Sequence, residues 1–175
     1  MSNEQVVCVQ VPVELPLAEC WERLQDFSLA HNYVPRLTHT EILSEALNGV
    51  GAHRRVYSGS RYLEESVTAW RDGEGFVIRL HRGEQPMAPF RRAEFEYALA
   101  DAGDTQTLVV LSMRIEMPWG ALGRLLARAA ILPAMRKQLT LVAAGLKHFY
   151  ESGEPATDAD RKRLAGAVQP GPARD

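Results

Sequence analysis

Between Leu37 and Met117 the apolar residues recur at every second position, and from Trp119 to about Glu151 they recur at every third or fourth. A single switch of period of this kind specifies a sheet laid down first and a long helix packed on it afterwards. Candidate strands in the first stretch are residues 38–45, 52–58, 61–70, 74–81, 92–99 and 107–117. Ahead of them, residues 6–11 form a β-branched strand that ends at Pro12. Pro16 suits the first turn of a helix that carries Leu17, Trp21 and Leu24 on one face and stops near Asp26. Ser28 is a candidate N-cap for a second short helix that ends before Pro35.

The connectors fix a register. Gly59-Ser60 and Asp72-Gly73 are two-residue hairpin signals, and Ala102-Gly103-Asp104 fits a three-residue loop. The first turn sets Val56 opposite Leu63 and Arg54 opposite Glu65. The second sets Ala69 opposite Phe76, Val67 opposite Ile78 and Glu65 opposite Leu80. Later strands separate a dry face with Phe95, Tyr97, Met113 and Ile115 from a wet one with Arg92, Glu94, Arg114 and Glu116.

The helical stretch carries two stripes. Leu122, Leu125, Leu126, Ala129 and Leu132 make the first, and Met135, Leu139, Val142, Leu146 and Phe149 make the second. They are out of phase, and the offset falls at Pro133, so the sequence predicts a kink there that turns both halves toward one sheet. Arg124, Arg128, Lys137 and Lys147 oppose the stripes as a solvated face.

The chain has 175 residues, of which 46% are hydrophobic and 24% charged, enough for one domain over residues 1–151. Residues 152–175 collect Gly, Pro, Ala and charge and read as a mobile tail, with a short helical turn at 158–164. The opening Ser2, Asn3, Glu4 and Gln5 is not a targeting segment, and no run of 18 apolar residues occurs, so a cytoplasmic protein without stable membrane insertion is expected. Cys8 and Cys20 read as reduced and structural. A net charge of −2 without a Lys/Arg block offers nothing for nucleic acid to grip. The five histidines never fall at i,i+3 or i,i+4, no CxxC is present, and no dinucleotide, GxSxG or P-loop string occurs, so neither a metal nor a cofactor is expected.

Arg54 and Glu65 stand out, because parity puts them on the face that carries Val56, Val67, Phe76 and Ile78, where a lone charge is costly. Two readings are open: a structural ion pair joined by Asp26, or a polar anchor in an apolar pocket lined also by Phe95, Met113, Leu139 and Val142. Tyr97 is either a core tyrosine with one buried partner or a ligand contact.

The order strand, two short helices, six antiparallel strands and long helix resembles the helix-grip fold of the START-like SRPBCC superfamily, in particular its polyketide cyclase/dehydrase branch. Val11-Pro12 leading to Trp21, Leu24, Asp26-Phe27, Tyr33 and Pro35 looks like that family's opening, Gly49-Val50-Gly51 before Arg54 like its glycine-rich loop, and Met117-Pro118-Trp119-Gly120 like its entry to the last helix. The resemblance covers residues 6–151 and implies an α+β fold in which a seven-stranded curved antiparallel sheet grips the C-terminal helix. It also implies binding, for transport or sensing, of a hydrophobic small molecule such as a lipid, quinone or polyketide-like compound, by a monomer or homodimer. Two alternatives are a cyclase/dehydratase-type enzyme, with Glu65 as general base and Arg54 stabilising an enolate, and a protein-interaction module whose cavity is packed shut.

Overall fold

The computed structural model describes residues 4–118 and 120–172, without the side chains of residues 124, 126 and 127. Ser2, Asn3, the helix start at Trp119 and the side chains of Arg124 and Leu126 therefore lie outside the described residues. Strand β1 (Glu4–Val13) leads to α1 (Leu17–Leu24), a 3₁₀ turn (Ala30–Asn32), and strands β2 (His39–Ile42), β3 (His53–Ser58), β4 (Arg61–Arg71) and β5 (Gly75–Arg82). After the two-residue β6 (Gln85–Pro86) come β7 (Arg92–Asp101) and β8 (Thr107–Glu116). Helix α2 (Gly120–Leu126), a π-helical turn (Ala127–Ile131), α3 (Leu132–Ser152), α4 (Asp158–Leu164) and β9 (Gln169–Pro170) complete the chain. The sheet runs β2-β3-β4-β5-β7-β8-β1-β9, with β6 on β5, so the seven expected strands gain two short additions. Among the described residues no helix is long and apolar enough to cross a membrane.

The second short helix reduces to the 3₁₀ turn. Asp26 accepts from the Ser28 amide at 3.0 Å and its hydroxyl at 2.6 Å, so a tight local turn forms where Ser28 was expected to cap a helix.

The β3–β4 register is as expected, with Arg54 opposite Glu65 and Val56 opposite Leu63. The β4–β5 register agrees only in part. Glu65 meets Leu80 and Val67 meets Ile78, but Phe76 faces Trp70 and Ala69 faces Val77. The turn holds Asp72, Gly73 and Glu74, one residue more than the tight hairpin, and a bulge between Val67 and Ala69 absorbs the excess. Trp70 consequently turns inward, stacking on Phe76 at 5.3 Å and meeting the Trp21 edge at 5.1 Å.

The long helix divides earlier than its proline suggests. The π-helical turn adds a residue to one turn, which rotates the remainder of the helix by roughly 100° and accounts for the phase offset. Pro133 then lies in the first turn of α3, where its missing N–H costs nothing. Met135, Leu139, Val142 and Leu146 are buried, and α3 packs on β1 and β8. Of the first stripe, Leu122 and Leu125 are 62% and 65% exposed and Ala129 is exposed as well, whereas Leu132 packs against the core. Lys147 departs from the solvated face and donates to the Pro12 carbonyl at 2.8 Å and to Glu151 at 2.6 Å.

The described part of the segment expected to be a loose tail is placed by specific contacts. Gly153, at φ +79°, ends α3 in a left-handed cap, and Ala156 donates its amide to Asn32. Thr157 and Asp160 form a reciprocal capping box that starts α4 at Asp158, as the short helical turn required. Arg161 is buried and donates from Nε to the Tyr33 carbonyl at 3.3 Å, and β9 pairs with Val9 and Gln10 of β1. Composition does not reveal this, because these contacts involve backbone carbonyls and one arginine more than apolar bulk.

Gly145 is where α3 meets this layer, and a Cβ there would collide with the Tyr33 carbonyl oxygen and crowd Arg161 Nε. Alanine ordinarily favours a helix over glycine by about 1 kcal/mol. Gly145→Ala is nevertheless expected to lower unfolding stability by about 1–3 kcal/mol in a denaturant titration, because backbone must move. A stabilised variant would show that α3 is not seated against Tyr33.

Candidate functional site

The inner face of the β3–β4 hairpin carries the charge pair. Arg54 is 1% exposed, the largest fully buried side chain among the described residues, and its Nε and Nη2 both lie 2.5 Å from Glu65 Oε2. Its Nη1 donates to the Phe27 carbonyl at 2.6 Å, and the guanidinium sits 3.9 Å above the Phe27 ring. Burial pulls the guanidinium pKa down, but the Glu65 charge outweighs it and holds Arg54 above its ordinary value. Asp26, the expected third member, is exposed and bound to Ser28, and the carbonyl of its neighbour Phe27 takes that place. Nothing in a sequence marks a main-chain oxygen as the partner.

Above the pair lies an aromatic cluster. Tyr33 donates its hydroxyl to that of Tyr97 at 3.3 Å, which gives Tyr97 the buried partner expected of a core tyrosine. Burial raises the pKa of both phenols, so both remain neutral at physiological pH. Phe76 stands 5.0 Å from Tyr97 and 5.9 Å from Phe27, and Phe95 stands 4.7 Å from Tyr97. Val67, Ile78, Leu139 and Val142 are buried in the same core, and half-buried Met113 packs against it.

The open space lies to one side of this cluster. A cleft of ≈ 230 Å³ is lined by Val34, Leu37, Val56, Leu63 and Glu65, with Ser58, Arg61 and Tyr62 also on its wall. Of the expected lining residues it brings together Val56 and Glu65, whereas Arg54 lies behind Glu65 and the remainder do not border it. Val34 and Leu37 were missed because they sit in the connector before β2, where no periodicity points them inward. The outer face of the same strands gathers His53, Glu64 and His81, whose donor atoms all lie within 4.8 Å of one another. Residue spacing could not expose this cluster, because each member comes from a different strand.

A carboxylate on the wall of an apolar cleft can accept a hydrogen bond from a bound hydroxyl or amine, and the guanidinium behind it offsets the charge. Arg54→Met or Glu65→Leu alone strands one buried charge and is expected to cost about 3–5 kcal/mol in urea unfolding. The double replacement is expected to recover most of that loss. Single variants that lose less than about 1 kcal/mol would show that the pair is not buried.

Comparisons with known proteins place this geometry. Residues 4–147 match the family model described as polyketide cyclase / dehydrase and lipid transport. Among solved structures, Ara h 8.0201 is 14% identical with a TM-score of 0.62, covering 84% of this chain and 97% of that one. A Thermus thermophilus protein, TTHA0849, is 19% identical with a TM-score of 0.61, covering 85% and 99%. A protein from Thermobifida fusca, solved by NMR, is 17% identical with a TM-score of 0.60, covering 81% and 92%. The search of curated proteins gave no match. Their likeness shows the fold, a large antiparallel sheet with a long C-terminal helix, and with the family match it is the helix-grip fold of the SRPBCC superfamily. With the model covering most of its length, the chain belongs to the polyketide cyclase/dehydrase and lipid-transport family.

Proposed function

We propose that the protein binds a small apolar ring compound carrying a hydroxyl or amine, holding its ring in the cleft beside β3 and β4 and its polar hydrogen on Glu65. The observation that carries this reading is a carboxylate beside Val34, Leu37, Val56 and Leu63 on the wall of the cleft, with its counter-charge shielded behind it. Arg54 is committed to Glu65 and the Phe27 carbonyl, so at this point of the wall a ligand meets an acceptor. Glu65 suits the hydroxyl of a phenolic, polyketide-like compound, while Ser58, Arg61 and Tyr62 on the same wall can donate to a second, carbonyl oxygen of the ligand. The cleft is smaller than the ≈ 300–1,000 Å³ of ordinary small-molecule sites, which suits one or two rings or the end of a longer molecule. Arg54 is not placed to stabilise an enolate, so the geometry supports carriage or sensing ahead of cyclase chemistry. Both cysteines are free, in keeping with a cytoplasmic setting.

The probe is 2-naphthol set against its methyl ether. Saturation at 100 times the Kd contributes about 2.7 kcal/mol, which for a chain of this size raises the Tm by roughly 5–10 °C. The ether has no hydrogen to donate to Glu65 and is expected to bind about 10–100-fold more weakly. Leu37→Trp, which fills the cleft, is expected to abolish the shift while the protein stays folded. Equal binding of phenol and ether would remove Glu65 from the site, and unchanged binding by Leu37→Trp would remove the cleft.

A further inference from the structure

The outer face of the β3-β4-β5 sheet holds a second constellation, one residue out of step with the inner pair. His53 of β3, Glu64 of β4 and His81 of β5 converge there, with His53 Nε2 3.4 Å and His81 Nδ1 3.6 Å from Glu64 Oε2. Metal–ligand bonds of roughly 2.0–2.2 Å at tetrahedral angles separate neighbouring ligand atoms by roughly 3.3–3.6 Å. Two edges of such a coordination polyhedron are therefore already at length. His53 Nε2 is itself buried and, among the described residues, has no hydrogen-bond partner, although its side chain as a whole is 30% exposed.

We propose that His53, Glu64 and His81 form a binding site for a divalent transition-metal ion of the zinc type. Two imidazoles and one carboxylate are a donor set that suits zinc and leaves a position open for water or an anion. The surrounding contacts position each ligand. Arg55 donates to Glu64 Oε1 at 2.7 Å, which fixes the carboxylate and leaves Oε2 toward the two rings. Ser66 Oγ lies 2.8 Å from His81 Nε2. With Nδ1 on the metal, Nε2 carries the proton and donates it to Ser66, the outer hydrogen bond that orients a ligating imidazole. Without metal, Nδ1 donates to the Gly83 carbonyl at 2.7 Å and Nε2 accepts from Ser66, so loading exchanges one tautomer for the other. The Gly83 carbonyl released in this exchange belongs to the exposed turn between β5 and β6. A groove of ≈ 750 Å³ runs along His81, and its walls carry Arg79, Arg91 and Arg92 balanced by Glu84, Glu94 and Glu116. Arg55 also limits affinity, because a dication on Oε2 meets a guanidinium on Oε1 of the same carboxylate.

The test uses the full chain, stripped with chelator and titrated with Zn²⁺ alone, and with Co²⁺ for its visible absorption. The expected result is one ion per chain at micromolar protein. His53→Gln, at a partly exposed position, is expected to weaken binding more than roughly 100-fold without changing the circular dichroism. The double variant His31→Gln/His39→Gln, which alters the other histidine pair of the described residues, is expected to bind as the wild type does. Glu64 is buried, so its part is read in the wild type by NMR, where ¹⁵N signals of His53 Nε2 and His81 Nδ1 are expected to move together on zinc addition. Absence of binding, binding that survives His53→Gln, binding lost through His31 and His39, or zinc shifts confined to other histidines would each overturn the proposal.

Discussion

The register of the β3–β4 hairpin decides which charged side chains lie inside the sheet and which lie outside it. Residues 53–55 read His-Arg-Arg and residues 64–66 read Glu-Glu-Ser, and the β3–β4 pairing sets Arg54 against Glu65 indoors and Arg55 against Glu64 outdoors. Burying an unpaired guanidinium would cost several kcal/mol, and a change of parity in β3 would turn apolar Val56 outward. Because both strands carry two like charges in tandem, the apolar parity of Val56 and Val67 and the Gly59-Ser60 turn select this register, and the Arg54–Glu65 pair is consistent with it. Arg54 is also the link to the helical opening of the chain, because it reaches the Phe27 carbonyl and lies on the Phe27 ring.

One sheet consequently has two chemistries on its two faces, separated only by alternation. Inside, a neutralised carboxylate borders an apolar cleft between the hairpin and the segment that carries Val34 and Leu37. Outside, two imidazoles and a carboxylate converge under the β5–β6 turn, where the Gly83 amide also donates to Glu64 at 3.2 Å. Around Phe76, Tyr97 and Tyr33 the rings pack on one another, and the cleft that borders Glu65 opens at the hairpin.

Much of this is legible in the sequence because it follows from parity and turn chemistry. Gly59-Ser60 fixes the hairpin, and with it the inward course of Arg54 and Glu65. What escapes is irregular backbone. Val67, Ala69 and Trp70 are all apolar around Thr68, so their pattern fits either parity and hides the bulge that turns Trp70 inward. The phase change in the last helix is visible, but Pro133 is the wrong place to put it, since a π-helical turn leaves no residue signature. The exposed Leu122 and Leu125 carry an amphipathic pattern without a partner, which periodicity alone cannot distinguish from a buried one. The C-terminal layer and the histidine cluster depend on long-range approach, of a glycine to a carbonyl in one case and of three strands in the other.

The central claim is that a ligand occupies the cleft at the hairpin while Arg54 stays closed behind Glu65. Methyl and arginine Nε NMR of the protein titrated with 2-naphthol tests it most directly. The account predicts perturbed methyls at Val34, Leu37, Val56 and Leu63, ligand-to-protein Overhauser contacts to the same groups, and an Arg54 Nε–H that stays slow to exchange throughout. Perturbations centred on Leu139 and Val142, or an Arg54 Nε–H released to solvent on binding, would contradict it.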